Sequence, residues 1–439
     1  MSVNRFNCPF RSHCHGGLRR RNSLLGILVL GLLTLTPSAQ VNQPDASELL
    51  KLAEETLADV SRLRELPVKS PITKGISTRQ QIKAYLLERI EEEYPAEELS
   101  IEQKALAKLG LIPPELDLLQ ALLQLLIEQV AGFYDPKTGR LYVADWVPAK
   151  MQRPVLAHEL THALQDQHFG LKKFLKRIPG NDDASLARNS LIEGEGLAIM
   201  MDVVLEPFGQ NFLMIPDIVQ TNRAQLQATS EQYRAFREAP RYLREILMFP
   251  YTHGANFLQY FRKRHSWREV SRLYSDLPQS SEQVLHPEKY LDDRDDPSPL
   301  SGPPLLELPG LWKSIYQNVL GEFVLSLLLQ EFLDETTAAQ GSRGWDGDSI
   351  VLMESRGGKL ALVLRSVWDS EQDAQEFFTA YRQLLERKYP DTDFSPSGDR
   401  QTEAKLQGVS RNHRISAIRQ GRRVEIIEAE RALHIQPSR

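Results

Sequence analysis

The residues His158-Glu159-Leu160-Thr161-His162 constrain this 439-residue chain more than any other stretch. Residues four apart on a helix lie one turn above each other on the same face. Two imidazoles at this spacing can bind one zinc ion, while the carboxylate between them takes a proton from a zinc-activated water. Apolar residues flank the motif, and two unpaired histidines in a core would be costly. The pattern therefore predicts a zinc helix with His158 and His162 as ligands and Glu159 as general base.

Residues 1–39 have the composition of an export signal. Five arginines precede an apolar run from Leu24 to Leu35, and small residues up to Ala39 offer a cleavage site. The run is too short to span a bilayer, so we expect cleavage and no stable membrane span in the mature chain. The chain's two cysteines, Cys8 and Cys14, fall in this segment, so no disulfide framework is expected. The sequence predicts a secreted or periplasmic protein.

The charge of the mature chain excludes one class of partner. Cleavage removes five arginines and no acids, which changes the formal net charge from −5 to −10. Such an acidic chain is a poor partner for nucleic acid. About 400 residues remain, which is enough for a sizeable core. A protein or peptide substrate fits these bounds, and the oligomeric state stays open.

A hairpin is expected just before the motif. Two β-rich runs within residues 132–143 flank Asp135-Pro136 and Gly139. In metallopeptidases, a strand in this position commonly holds the substrate backbone by edge pairing. We expect Arg140 to Ala144 to be that edge strand, with an ordinary hairpin as the alternative. The zinc helix is then predicted to begin at Pro154 and to end at Gly170.

A second helix, predicted from about 184 to 205, contains Gly194 and Gly196. Each glycine costs a helix about 1 kcal/mol relative to alanine, so the pair indicates a close approach, expected here to the zinc helix. The third zinc ligand is expected on the same helix, as Glu193 or Glu195. Residues two apart point about 200° apart, so only one of them can face the metal. The local pattern leaves the choice open, although Asn189-Ser190 could orient Glu193.

Further candidates are single polar residues. Tyr251, His253 and His286 could each polarise a substrate carbonyl, or could be ordinary interior or surface residues. His168 occupies the last position of the spacing in which some zinc peptidases place a third histidine. A continuous helix would turn His168 about 100° away from the other two histidines. We therefore expect that it is not a ligand.

Several stretches resemble known zinc peptidases. Ala157 to Ala163, with Asp166 and Gly170 beyond, resembles the zinc helix of the thermolysin-type gluzincins, where a glutamate on a following helix is the third ligand. Most of the mature chain is also similar to an uncharacterised bacterial family of exported proteins of zinc-peptidase type. The matching stretches are 128–136, 158–169, 191–196, 283–290, 345–348 and 367–377. The family pattern implies that the first glutamate is the fixed one, which favours Glu193 over Glu195.

These observations predict a mainly helical α+β fold with a zincin-like peptidase core. The expected segments are a signal peptide (1–39), an N-terminal helical region (40–131), the zincin-like core (132–300), a connecting helical region (301–345) and a C-terminal α+β module (346–439). Strand-like and helical patterns predict a ββαββ order for that module. The N-terminal helical region is either a removable pro-segment or a permanent wall of the site.

The function predicted from the sequence is that of an exported zinc-dependent peptidase. It would hydrolyse peptide bonds through a zinc-activated water with Glu159 as general base. The alternative is a non-catalytic, zinc-bound envelope scaffold, for which a base beside the metal has no use. A third hypothesis, a helical structural protein without metal, leaves the two histidines and the glutamate on one apolar-flanked turn unexplained.

Overall fold

The computed structural model describes residues 46–93, 95–230, 233–400 and 403–431. They form helices and two β-sheets that are joined by loops. The predicted signal peptide lies outside these ranges. The helices are α1 (Ala46–Arg64), α2 (Arg79–Glu93), α3 (Ala96–Leu109), α4 (Leu118–Gln129), α5 (Ala149–Phe169), α6 (Leu171–Leu175), α7 (Asp182–Leu205), α8 (Ile218–Ser230), α9 (Arg234–Glu238), α10 (Arg241–Arg262), α11 (Trp267–Val270), α12 (Ser281–Leu285), α13 (Glu288–Leu291), α14 (Gly321–Gln330), α15 (Glu335–Ser342) and α16 (Glu371–Lys388). The strands are β1 (Thr73–Ser77), β2 (Gly132–Asp135), β3 (Arg140–Ala144), β4 (Trp312–Asn318), β5 (Trp345–Ser355), β6 (Leu360–Trp368), β7 (Asp393–Arg400), β8 (Glu403–Val409), β9 (His413–Gln420) and β10 (Arg423–Glu430). The predicted class, α+β and mainly helical, is confirmed.

The smaller sheet lies against the helix that carries the motif. Its strand order is β1-β3-β2, with β1 parallel and β2 antiparallel to β3. Strand β3 is therefore paired on both sides. The expectation that Arg140 to Ala144 is a free edge strand is wrong, because a strand from the N-terminal region occupies that edge.

Helix α5 carries the motif in its second half. It begins at Ala149, directly after the extended residue Pro148, and ends at Gly170, whose φ of 73° lies in the left-handed region. The predicted end is confirmed. The predicted start at Pro154 is wrong, because the helix tolerates this proline inside it. From Val155 to Gln165 every residue is buried, so the motif sits in the interior of the protein.

Helices α7 and α10 cross in close contact at glycines. A Cβ on Gly194 would lie 2.3 Å from the carbonyl carbon of Gly254, and a Cβ on Gly254 would lie 2.1 Å from the carbonyl oxygen of Ser190. No side chain larger than hydrogen fits at either position. The close approach expected of Gly194 is therefore to α10 and not to α5.

The larger sheet has seven strands in the order β4-β5-β6-β10-β9-β8-β7, all antiparallel. Helix α16 packs on it, with the ring of Phe377 stacked 4.4 Å from that of Trp368. The predicted ββαββ order contains β5, β6 and α16. It lacks β4, which lies within the segment expected to be a connecting helical region, and β7. The sequence pattern over 408–419 predicts one continuous strand, but these residues contain the turn between β8 and β9.

The main hydrophobic core runs through these segments, from Leu49 on α1 to Ile426 on β10, and a small separate cluster forms around Ile427 on the larger sheet. The N-terminal helices reach the larger sheet as well, since Lys108 on α3 forms an ion pair with Glu430 at 3.0 Å. Within the described residues, no helix has the length and apolar character needed to cross a membrane. Helix α1 and strand β1 are integral parts of the folded unit.

Candidate metal centre

Three side chains from α5 and α7 converge in the interior. His158 Nε2 lies 3.1 Å from Glu193 Oε2, His162 Nε2 lies 3.5 Å from the same oxygen, and the two Nε2 atoms are 3.0 Å apart. The imidazole planes are nearly perpendicular, at 89°. Helical spacing aligns the histidines, and the crossing of α5 and α7 brings the carboxylate to them. All three residues are buried.

A glutamine sets the tautomer of His162. Gln165 donates its amide N–H to the backbone carbonyl of Ile192 at 3.1 Å, so its Oε1 is left as an acceptor. That oxygen lies 2.8 Å from His162 Nδ1. Nδ1 must then carry the proton, which leaves a lone pair on Nε2 in the neutral ring. The nitrogen that faces Glu193 is thereby prepared as a ligand atom.

The geometry of this cluster fits a small tetrahedral cation. Zinc bonds of about 2.0–2.1 Å in a tetrahedral arrangement place neighbouring ligand atoms about 3.3 Å apart. The three observed separations range from 3.0 to 3.5 Å. His158 Nδ1 and Glu193 Oε1 are also buried without a hydrogen-bond partner. A lone pair facing a carboxylate is unfavourable unless a proton or a metal ion lies between them, so the residues fit the ion.

The charges within the cluster reinforce one another. Burial alone would lower the pKa of His162, but the nearby Glu193 carboxylate raises it to about 9. Burial alone would raise the pKa of Glu193, but the two imidazoles lower it to about 2. The site therefore holds Glu193 as an anion and favours positive charge between the three side chains.

Glu159 lies beside the cluster with one oxygen held and the other free. The backbone N–H of Tyr134 on β2 donates to Glu159 Oε2 at 2.9 Å, while Oε1 is buried without a hydrogen-bond partner. Burial raises the pKa of Glu159, and the charge of Glu193 raises it further, against the lowering effect of the histidines. A carboxylate with a raised pKa and one open oxygen is suited to accept a proton.

Glu195 has a different environment from Glu193. Its Oε1 accepts a hydrogen bond from Arg64 Nε at 2.6 Å, and its Oε2 accepts one from the Tyr274 hydroxyl at 2.9 Å. Arg64 also donates to the carbonyl of Trp267 at 2.7 Å and is completely buried. Both oxygens of Glu195 are thus paired within the fold, so the structure brings Glu193 and not Glu195 to the histidines.

Space for the His158 ring depends on Gly196. A Cβ at this position would lie 2.8 Å from His158 Cε1. The expected close approach to the motif helix therefore holds for Gly196, whereas Gly194 serves the crossing with α10. The two glycines of α7 have separate roles.

Of the other predicted site residues, the structure brings Tyr251 next to the cluster. Its ring lies 6.0 Å from that of His158, with 30° between the planes. His253, about 200° further around α10, stacks on Phe249 at 4.8 Å and lies 6.3 Å from Phe323. Burial lowers the pKa of His253 to about 4. His253 faces away from the side of α10 that carries Tyr251.

The remaining histidine candidates lie elsewhere. His286 Nε2 is 3.0 Å from Glu322 Oε1, and His168 Nε2 is 2.7 Å from the carbonyl oxygen of Pro67. Neither belongs to the cluster of possible metal ligands. A second group of convergent acids, Glu282, Asp295 and Asp369, surrounds the ammonium group of Lys289. That lysine supplies the positive charge of the second group.

Three residues around the cluster were not predicted from the sequence: Gln165, Tyr134 and Arg64. Gln165 follows His162 by three residues, a helical spacing that brings side chains together and could have been recognised. Tyr134 acts through its backbone N–H, which carries no sequence signal. Arg64 lies far from Glu195 in the chain, and no local pattern joins them.

Comparison with known proteins informs only the C-terminal part. A family model described as a domain of unknown function (DUF8575) matches residues 311–436. These residues comprise the larger sheet from β4 to β10 with helices α14 to α16. No curated protein and no solved structure matches the chain. The buried cluster on α5 and α7 lies outside the matched residues.

Proposed function

We propose that the protein is a zinc-dependent peptidase with a zincin-like core. The observation that carries this proposal is the convergence of His158, His162 and Glu193 at separations of 3.0 to 3.5 Å, with Glu159 beside them. A small sheet before the motif helix and a glutamate helix after it support the zincin-like assignment. Export to the periplasm or the outside of the cell is proposed from residues 1–39 alone.

His158, His162 and Glu193 would hold the metal, and Gln165 keeps the His162 ring in the required tautomer. When bound, zinc supplies a Lewis acid that polarises the scissile carbonyl and activates a water molecule. Glu159 takes the proton of the attacking water on its open oxygen and passes it to the leaving amine. The Tyr134 N–H holds the other oxygen, which fixes the direction of the transfer.

Tyr251 is the candidate for a group that contacts the reacting carbonyl. It lies in the wall next to His158, as an oxyanion donor would. His253 and His286 have partners away from this wall, which weakens their earlier assignment to the same role. The proposal therefore keeps Tyr251 and places no step on the two histidines.

A non-catalytic, zinc-bound scaffold is the second candidate, and one observation favours it. His158, Glu159, His162 and Glu193 are each at most 1% exposed. A polypeptide substrate reaches such a site only if part of the surrounding wall moves. A structural metal site needs no access of this kind.

Two measurements on the purified protein separate these functions. Metal analysis is expected to give about one zinc per chain, as a three-ligand site binds tightly at neutral pH. Cleavage of an unfolded protein substrate is expected to stop with a chelator and to return with added zinc. Zinc without cleavage of any unfolded protein favours the scaffold, and the absence of metal after gentle purification contradicts both candidates.

A further inference from the structure

A cavity rich in arginine lies at the N-terminal end of α10, apart from the metal centre. It has a volume of about 440 Å³ and lies between α8, α9, α10 and the turn that joins α14 to α15. Arginines from three helices line it together with apolar side chains. The arginines are Arg223, Arg237, Arg241 and Arg244, and the apolar residues are Phe236, Met248 and Leu333.

The guanidinium group of Arg244 has no acidic partner at hydrogen-bond distance among the described residues. Its Nε is buried without a hydrogen-bond partner, and its guanidinium carbon lies 5.9 Å from the centre of the Phe236 ring. The carboxylate of Glu331 acts on it only through its charge, from beyond hydrogen-bond distance. Arg241 donates to the backbone and side-chain oxygens of Gln330 at 3.4 and 3.3 Å, and lies 3.9 Å from Glu331. These two arginines therefore keep much of their capacity to bind an anion.

The acids of the cavity are largely engaged. Glu245 is paired with Arg223 at 3.0 Å. Asp334 caps α15, with its carboxylate accepting from the Thr337 N–H at 3.0 Å and from the Thr337 hydroxyl at 2.7 Å. Glu335 is exposed in the first turn of α15. The lining has four arginines and three acids, and two of those acids already have partners. A fourth acid, Glu331, lies beside the cavity near Arg241 and Arg244 without a hydrogen bond to either.

Arg244 is partly buried, and Arg241, one helical turn away, has a side chain that is 44% exposed. A guanidinium group that loses hydration without a counter-charge is stabilised by an anion. The planar donors of arginine match the oxygens of carboxylate and phosphate groups. We propose that this cavity is a binding site for an oxyanion, with Arg241 and Arg244 as the principal donors. The anion is either free phosphate or a carboxylate of a bound peptide.

The distance between the cavity and the proposed metal centre would allow one bound peptide to reach both. Arg244 and Tyr251 are seven residues apart on α10, so they lie within about 20° of each other around the helix and about 10 Å apart along it. An extended peptide spans this distance in about three residues. A peptide with its scissile bond at the metal centre would place an acidic side chain or C-terminal carboxylate near Arg244. This source rests on the proposed peptidase function, whereas phosphate binding does not.

Titration calorimetry on the full mature chain tests the site by binding alone and does not depend on enzymatic activity. Inorganic phosphate is one ligand, and a pair of peptides is the other: one carries a glutamate three residues from its centre and the second carries glutamine there. The Glu159→Gln variant is used for the peptides so that they stay intact. Saturable binding of phosphate, or tighter binding of the glutamate peptide than of the glutamine peptide, is the expected result.

Variants locate any binding. Arg244→Gln and Arg241→Gln are each expected to weaken it about tenfold or more, because hydrogen bonds to charged groups contribute about 1.5–3 kcal/mol. Arg234→Gln is the matched control, as Arg234 is on α9 but is exposed and paired with Glu238. Circular dichroism verifies the fold of each variant, and Arg244→Lys, which keeps the charge, should lose less affinity than Arg244→Gln.

Two results overturn the proposal. One is the absence of saturable binding of phosphate and of any preference for the glutamate peptide. The other is binding that Arg244→Gln and Arg241→Gln leave as tight as Arg234→Gln does. Phosphate binding that depends on Arg244 supports the site even if the protein proves not to be a peptidase.

Discussion

Glu193 and Glu195 lie two residues apart on α7, and both are completely buried, yet their surroundings differ. Both oxygens of Glu195 accept hydrogen bonds, from Arg64 and Tyr274. Glu193 faces two imidazole nitrogens, and its Oε1 has no partner. A buried carboxylate needs compensation, which Glu195 receives from the fold itself. Glu193 lacks such a partner, and we propose that a metal ion compensates its charge. One side of α7 is thus tied into the fold through Glu195, and the other presents Glu193 to the two histidines.

The largest effect is expected at the proposed base, Glu159 on α5, which lies beside the cluster that contains Glu193. Glu159→Gln should leave the zinc content unchanged and lower kcat/KM for an unfolded protein substrate by about 10²–10⁴-fold, because an amide cannot take the proton of water. The substitution removes the negative charge and preserves the size of the side chain. Glu371→Gln, at an exposed position on α16, is the matched control. Normal turnover by Glu159→Gln would refute the assignment of the base.

Substitutions around Glu195 are expected to change the free energy of unfolding. Arg64→Met leaves Glu195 as an unpaired buried charge and is expected to cost about 3–5 kcal/mol in the free energy of unfolding. The double variant Arg64→Met/Glu195→Gln removes both charges and should recover much of this loss. Arg62→Met, whose partner Glu206 is exposed, should cost less than about 1 kcal/mol.

Urea denaturation of these variants in metal-free buffer gives the comparison. Equal stability of Arg64→Met and the double variant would show that the ion pair does not explain the burial of Glu195.

Substitutions of the two glycines of α7 should also differ in effect: one should lower stability and the other zinc affinity. Gly194→Ala places a methyl group against the backbone of α10 and is expected to cost about 1–3 kcal/mol in stability. Gly196→Ala meets the ring of His158 instead. An off-rotamer ring costs about 0.5–1.5 kcal/mol, so zinc affinity should fall by up to about tenfold. Melting temperature and zinc titration on both variants test this; the reverse assignment of effects would contradict it.

A further effect on zinc affinity is expected at Gln165. Gln165→Ala removes the acceptor that fixes the tautomer of His162, and such partners of metal ligands typically contribute about 10–100-fold in affinity. Gln167→Ala is the control, since the Gln167 side chain bonds to Lys69 and Ser70 on the surface. Competition with a chromophoric chelator measures both. An unchanged affinity in Gln165→Ala would mean that His162 does not depend on this contact.

Local spacing in the sequence was enough to bring His158, Glu159 and His162 together, because all three lie on one helix. It was also enough for the class of fold and for the end of α5 at Gly170. Glu193, the glutamate preferred as third ligand, lies beside the two histidines, but the expected neighbours do not orient it. Ser190 donates its hydroxyl to the carbonyl of Leu186 rather than orienting the carboxylate.

Contacts between distant segments of the chain could not be predicted from the sequence. Strand β1 covers β3, which removed the expected free edge, and Arg64 on α1 engages Glu195. Strand β4 joins the larger sheet after a long polar loop and carried no clear strand pattern. These pairings are decided by tertiary packing, which periodicity within one segment does not record.

The zinc content of Glu193→Gln beside that of Glu195→Gln tests the central claim most directly. Both variants are purified identically, dialysed against trace zinc and checked for fold by circular dichroism before elemental analysis. Glu193→Gln is expected to be folded and nearly free of zinc, whereas folded Glu195→Gln should retain about one zinc per chain. Zinc retained in Glu193→Gln and lost from folded Glu195→Gln would contradict it.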